Sequence, residues 1–338
     1  RNCHNVIFTA DPSNPVVVNV RNTKAKGIVV SGSSNIIVEH FRLIGQDGDY
    51  LSWDAAAWRN APARGIASGG SDGLTFRDGE ICGFRAGTQI IGNNNTMQRL
   101  KVYGVCGDAL RGYGNDLLID DNDVYDLFKI DGTHVDHYQG SEHAGKGPFW
   151  RITITNNRFT SVKNNRGNPL AQTDGQGVFQ RAQADGIVYN DVLVQGNVID
   201  SLTAKAIMLK GVRNGKVLDN HIVQAHPSGD WPRIAFEDCD TVLVQGNTAQ
   251  AIVDRGGVVG LAAKNNVRLD GTPLPSQVIP DDDTTPPPPP VYPDDPETPD
   301  PPEVPETPEQ SPAPDLAAAR AALAAARVKI TEALGAIS

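Results

Sequence analysis

Val192-Leu-Val-Gln-Gly-Asn197-Val-Ile and Val242-Leu-Val-Gln-Gly-Asn247-Thr-Ala are near copies of one another. The pattern, apolar-x-apolar-x-x-Asn-x-apolar, recurs along the chain. Further copies are Ile152-Thr-Ile-Thr-Asn-Asn157-Arg-Phe, Leu117-Leu-Ile-Asp-Asp-Asn122-Asp-Val and Val217-Leu-Asp-Asn220-His-Ile. Weaker ones end at Phe41, Gly79 and Leu100. The anchor positions 41, 79, 100, 122, 157, 197, 220 and 247 lie 38, 21, 22, 35, 40, 23 and 27 residues apart. A repeat at this spacing marks a stacked architecture.

A second run recurs upstream of the anchors. Gly27-Ile-Val-Val-Ser-Gly32, Asp108-Ala-Leu-Arg-Gly112, Asp136-His-Tyr-Gln-Gly140, Gly177-Val-Phe-Gln180, Ala206-Ile-Met-Leu-Lys-Gly211 and Ile234-Ala-Phe-Glu-Asp238 are its copies. Each repeat therefore holds two or three short β-runs separated by turn residues. One such unit cannot bury its own apolar face, and stacking equivalent units in parallel buries it. The expected fold is all-β, a parallel β-helix (solenoid) over residues 1–272. Asn at five of the eight anchors reads as structural. Asn tolerates a left-handed turn, and stacked Asn side chains hydrogen-bond along a ladder.

The tail reads differently. Residues 273–314 hold 17 of the 24 prolines and predict an extended, Pro-rich acidic linker. Residues 315–338 predict an α-helix, N-capped by Asp315. In it Leu316, Leu323, Ile330 and Ile337 alternate with Ala319, Ala326 and Ala333 at heptad spacing. That stripe fits either a self-associating coiled coil or an amphipathic helix docking on a partner protein.

The chain of 338 residues carries 30 basic and 40 acidic side chains, a net charge of −10. Residues 281–338 contribute 12 acidic and 3 basic groups, so the first 280 residues are nearly neutral. A neutral solenoid is a poor nucleic-acid binder, yet an acidic glycan is not excluded. No run of about 18 apolar residues predicts membrane insertion. The chain starts at Arg1 without a signal-like stretch, which suggests a processed or excerpted product. Cys3, Cys82, Cys106 and Cys239 are too scattered for a disulfide framework or a zinc site. No cofactor or metal is expected.

The rungs and strands quoted above resemble the right-handed parallel β-helix proteins of the pectate-lyase-like superfamily, over about residues 15–270. The resemblance implies that the solenoid is right-handed. That superfamily includes polysaccharide lyases, hydrolases, uronan epimerases and phage tailspikes. A β-helix followed by a tether and an oligomerising helix looks like a virion or cell-surface appendage. The resemblance to tailspikes implies a homo-oligomer, with a trimer favoured, and polysaccharide as partner. The expected function is recognition, and possible degradation, of surface polysaccharide. The alternatives are a secreted lyase, epimerase or hydrolase, and a purely structural fibre component.

The enlarged gaps locate insertions near 46–66, 126–150 and 163–185, where function concentrates on a rigid scaffold. Trp53 and Trp58 in the first can stack on sugar rings, or cover the solenoid's side. The second carries His134, Asp136 and His137 in a run that resembles the HxDxxQ stretch of several β-helix proteins. These three are the candidate catalytic groups. Their structural alternative is an Asp–His hydrogen bond that organises a rung. Strand alternation places Arg111, Gln139, Gln180, Lys210 and Glu237 in one outward polar stripe, with His137 outward beside it. Extended glycans suit such a groove.

Overall fold

The computed structural model describes residues 3–21, 24–133, 135–141, 147–171, 175–182, 188–200, 205–223, 232–275 and 279–280. His134, residues 281–314 of the linker and the 315–338 helix lie outside the described residues.

The strands among the described residues form three parallel sheets of ten, eight and ten strands. In each sheet, nearly every strand pairs with the one three places further along the chain. That order is a β-solenoid, with three strands to a coil. One coil shows the path. Leu110–Tyr113 lies in the third sheet, Leu117–Asp120 in the first and Asp123–Leu127 in the second. The chain then returns to the third at Tyr138–Ser141.

The apolar-x-apolar repeat is the first sheet. Ile119, Ile154, Val194, Val217 and Val244 occupy one register column, and each is fully buried. Their neighbours along the strands alternate outward, as the period of two requires. The residues just after the Asn form the short strands of the second sheet, such as Arg158–Thr160 and Val198–Asp200.

The bend between these sheets divides its work between two residues. The first takes the left-handed backbone. His40, Asp78, Arg99, Asp121, Asn156, Asp219 and Asn265 do so at φ between 50° and 58°. Gly196 and Gly246 do so without the Cβ penalty, at 66° and 69°. The second residue supplies the ladder. The Nδ2 of Asn122 donates to the Oδ1 of Asn157 at 2.8 Å, Asn157 to Asn197 and Asn197 to Asn220 at 2.9 Å. Asn220 continues to Asn247 at 2.9 Å, and Asn247 to Asn266 at 3.0 Å. The ladder Asn is thus not the left-handed residue, as its tolerance for that conformation suggested. Three earlier coils replace Asn with Phe41, Gly79 and Leu100, and the Phe41 ring fills the space where a Gly79 side chain would begin.

The long insertions leave at the corner between the second and third sheets. In the first, Asp49 and Asp54 cap a 3-10 turn (Tyr50–Ser52) and a short helix (Ala55–Asn60). The insertion folds onto neighbouring coils. Tyr50 Oη donates to Asp126 Oδ2 at 2.9 Å, and Asn168 Nδ2 donates to the Leu51 carbonyl at 2.8 Å. Asp126 in turn accepts from the backbone N–H groups of Lys163, Asn164 and Asn165. Paired backbone continues to Ile279–Pro280, which joins the third sheet beside Ala251–Asp254.

Candidate functional site

The third sheet turns Ile207, Ile234 and Ile252 into the core in one column with Leu110, Tyr138 and Val178. The next residue of each strand faces outward. This outer column reads Arg111, Gln139, Phe179, Met208, Ala235 and Val253. Two residues further along, a second outer column reads Ser141, Arg181, Lys210 and Glu237. Tyr113 stands in the corresponding place on the strand that carries Arg111.

The single stripe expected from alternation is therefore two columns, and Gln180 belongs to neither. Gln180 is paired with Gly140 and points into the core, fully buried. Its Nε2 donates to the Gly140 carbonyl at 2.8 Å, and its Oε1 accepts from Tyr138 Oη at 3.0 Å. Gly140 makes room for it, since a Cβ there would sit 2.1 Å from Gln180 Oε1. Apolar Phe179 and Met208 on the outward side of the strands misled the alternation; Met208, Ala235 and Val253 there are buried in a small cluster of their own, with Phe179 packed against it.

Two buried carboxylates staple the entry to these strands. Asp108 Oδ1 accepts from the Asp136 N–H at 2.9 Å, and Asp136 Oδ1 accepts from the Gln176 N–H at 3.0 Å. Each also holds the outward residue three positions on. Arg111 Nε donates to Asp108 Oδ2 at 2.5 Å, and Gln139 Nε2 to Asp136 Oδ2 at 3.4 Å. Asp136 is 1% exposed. It orders a rung through the Gln176 N–H, not through the Asp–His hydrogen bond that was the structural alternative, since His137 bonds the Gln176 carbonyl instead.

His137 does not face outward. It is fully buried and packs against Phe159 with ring centroids 5.4 Å apart. Its Nδ1 lies 2.9 Å from the Gln176 carbonyl, which only accepts, so Nδ1 carries the proton. Nε2 has no hydrogen-bond partner among the described residues. Burial pushes the imidazole pKa down to about 4, against weaker support from the Gln176 and Thr160 backbone. The neutral ring is what the fold accepts. As pH falls below the unfolded value of about 6.5, the unfolded chain binds a proton that the folded chain refuses. Stability should therefore drop by about 3 kcal/mol between pH 6.5 and 4, then level off. Urea midpoints of wild type and His137→Gln across that window check it: the variant should lack this component.

Trp53 and Trp58 are packing residues, 8% and 0% exposed. Their rings meet edge-on at 4.7 Å, and Trp58 lies 4.7 Å from Phe128. Ala61, Cys106 and Ile130 complete this satellite core. They cover the side of the solenoid and are not placed to stack on a sugar.

Lys210 and Glu237 form an ion pair at 2.7 Å, with Asp238 at 3.5 Å from the ammonium. Arg255 stands 3.8 Å from the other side of Glu237. Burial works to lower the Lys210 pKa, but the hydrogen bond and charge of Glu237, with Asp238, raise it overall. These groups satisfy one another. Arg181 differs: its guanidinium lies 5.9 Å from the Phe179 ring centroid and has no carboxylate partner among the described residues.

One histidine–carboxylate cluster, Glu39, His40 and Asp78, brings its ligand atoms within 4.8 Å of one another. Arg77 bonds Glu39 at 2.6 Å and Arg99 bonds Asp78 at 2.6 and 2.8 Å, which makes the cluster a charge-paired bend. Cys82, Cys106 and Cys239 are buried thiols.

The outer face thus offers Arg111, Gln139 and Phe179 beside Tyr113, Ser141 and Arg181, all except Gln139 at intermediate exposure. Asp108, Tyr113, Phe179 and Arg181 were missed as site residues. The shared Asp-x-x-Arg and Asp-x-x-Gln spacing at 108–111 and 136–139 was the available signal.

No protein-family model and no curated protein matches the chain. Among solved structures, it is similar to DFA-IIIase from Arthrobacter chlorophenolicus A6 without its lid. The identity is 15% over 80% of this chain and 62% of that one, with a TM-score of 0.46. The same enzyme without its lid, in complex with GF2, gives 16%, 79%, 61% and 0.45. PfbA, a surface adhesin of Streptococcus pneumoniae, gives 13%, 80%, 62% and 0.38. The chain spans less than two thirds of each of these structures. At these identities and TM-scores the likenesses say nothing about what this chain binds.

Proposed function

We propose that the protein is a virion or cell-surface β-helix that recognises polysaccharide through the outer face of its third sheet. The observation that carries the reading is the pair of adjoining columns around Arg111, Gln139, Phe179 and Arg181. A rigid sheet holds planar hydrogen-bonding groups about 4.8 Å apart in successive coils, next to half-buried rings. A saccharide chain presents hydroxyls and apolar C–H faces to such a surface. Recognition is favoured over chemistry, because Asp108, Asp136 and His137 are buried in structural roles. The acidic, Pro-rich residues 281–314 and the heptad-patterned residues 315–338 suit attachment and self-association, as in a trimeric appendage.

Arg181→Ala is the clean test, since Arg111→Ala would strand the buried Asp108 carboxylate. On a glycan array, wild type should bind at least one surface-polysaccharide fragment, and Arg181→Ala should weaken that binding about tenfold. Unchanged binding in a folded Arg181→Ala protein would remove this face from the reading.

A further inference from the structure

At the bend between the third and first sheets a second amide ladder climbs the solenoid. Asp72 Oδ1 accepts from the Asn93 N–H at 2.6 Å. Asn93 Oδ1 accepts from the Asn115 N–H at 3.0 Å and from Asn115 Nδ2 at 2.9 Å. Asn115 Oδ1 accepts from the Trp150 N–H at 2.8 Å. There the side-chain ladder stops. The next rung would take another Asn or Asp, and Asn190 is the register partner beyond it. The position is filled by an indole instead.

That indole is only partly packed into the fold. Trp150 is 40% exposed, whereas Trp53 and Trp58 are buried. Its ring makes no ring contact and no side-chain hydrogen bond among the described residues. Positions that break a local structural rule are where a functional site is expected.

Its surroundings supply the rest. One residue along the strand, Arg151 Nε and Nη2 grip Asp116 at 2.5 and 2.8 Å. Two coils further, Arg213 pairs with Asp240 at 3.0 Å in the column of Trp150. Each pair is exposed on at least one side and keeps N–H groups and lone pairs for a ligand. An apolar ring face bracketed by planar polar pairs matches a pyranose, with its C–H face on the indole and its hydroxyls toward the pairs.

We infer that Trp150 is the anchor of a second saccharide subsite, on the first-sheet side of the bend and separate from the third-sheet face. It rests on the saccharide reading above but not on the same residues. The ligand class is a neutral pyranose chain, because the two arginines that bracket the indole, Arg151 and Arg213, are each paired with a carboxylate.

The test titrates the full chain with hexasaccharides of glucose, mannose, galactose, rhamnose and galacturonate, following tryptophan fluorescence and calorimetric heat. Wild type should bind a neutral hexasaccharide with a shift in emission. Trp150→Ala should lose the shift and about tenfold in affinity. Trp150→Phe should keep most of the affinity. Binding that survives Trp150→Ala but fails in Arg181→Ala overturns this subsite and leaves the third-sheet face standing. The reverse pattern supports the subsite and removes that face. Binding of galacturonate alone overturns the neutral-pyranose assignment, and no binding by any of the five overturns both readings.

Discussion

Asn197→Ala should destabilise the solenoid by about 3–5 kcal/mol, read as a fall in the urea midpoint. Asn197 Nδ2 donates to Asn220 Oδ1 and to the Ile154 carbonyl, both at 2.9 Å. Its Oδ1 accepts from the N–H and the Nδ2 of Asn157, both at 2.9 Å. The side chain is fully buried, so water cannot replace these partners. Alanine leaves at least the Asn157 N–H and the Ile154 carbonyl short of a partner. Each such group costs about 1–3 kcal/mol. Asn197→Asp separates hydrogen bonding from shape. The carboxylate still accepts from Asn157 but turns an oxygen toward Asn220 Oδ1 and the Ile154 carbonyl. It should be at least as damaging as alanine at pH 7 and partly recover near pH 4, where it takes up a proton. An Asn197→Asp protein as stable as wild type at pH 7 would contradict the ladder.

Trp58→Ala should cost about 3–5 kcal/mol through loss of a large buried ring and the cavity it leaves. The loss reaches beyond one side chain. Trp58 holds the 46–61 insertion against Phe128 from another coil, so its removal loosens the contact between them. Trp58→Phe should cost only about 1–2 kcal/mol. It keeps a ring and deletes an indole N–H that has no hydrogen-bond partner among the described residues. Saccharide affinity, measured where both variants are folded, should not change. A specific loss of affinity in folded Trp58→Phe would return this tryptophan to a binding role.

The stack was legible because its signal is repeated. Val192, Val194 and Asn197 recur as Val242, Val244 and Asn247, and any rung checks the others. The enlarged gaps were legible too, because a solenoid has few places to store extra residues. The binding face was harder. Alternation assumes that apolar residues point inward, and Phe179 and Met208 break that assumption on the outer column. Gln180 breaks it in the other direction, as a buried amide satisfied by Gly140 and Tyr138. The Asp136–His137 pair carried a chemical look that a single sequence cannot separate from a structural staple. The difference lies in Gln176, about 40 residues later, whose backbone holds both side chains. Trp150 passed unremarked because only the register shows it standing in an amide ladder.

The buried His137 ring also decides where the molecule gives way. A repeat array is held by coupling between nearest neighbours, and it ordinarily frays from its two ends. His137 immediately precedes the strand Tyr138–Ser141, well inside the stack, with third-sheet strands on either side. Acid therefore places its charge at an interior seam. The array should part there into two shorter stacks, while urea at neutral pH should peel it from its termini.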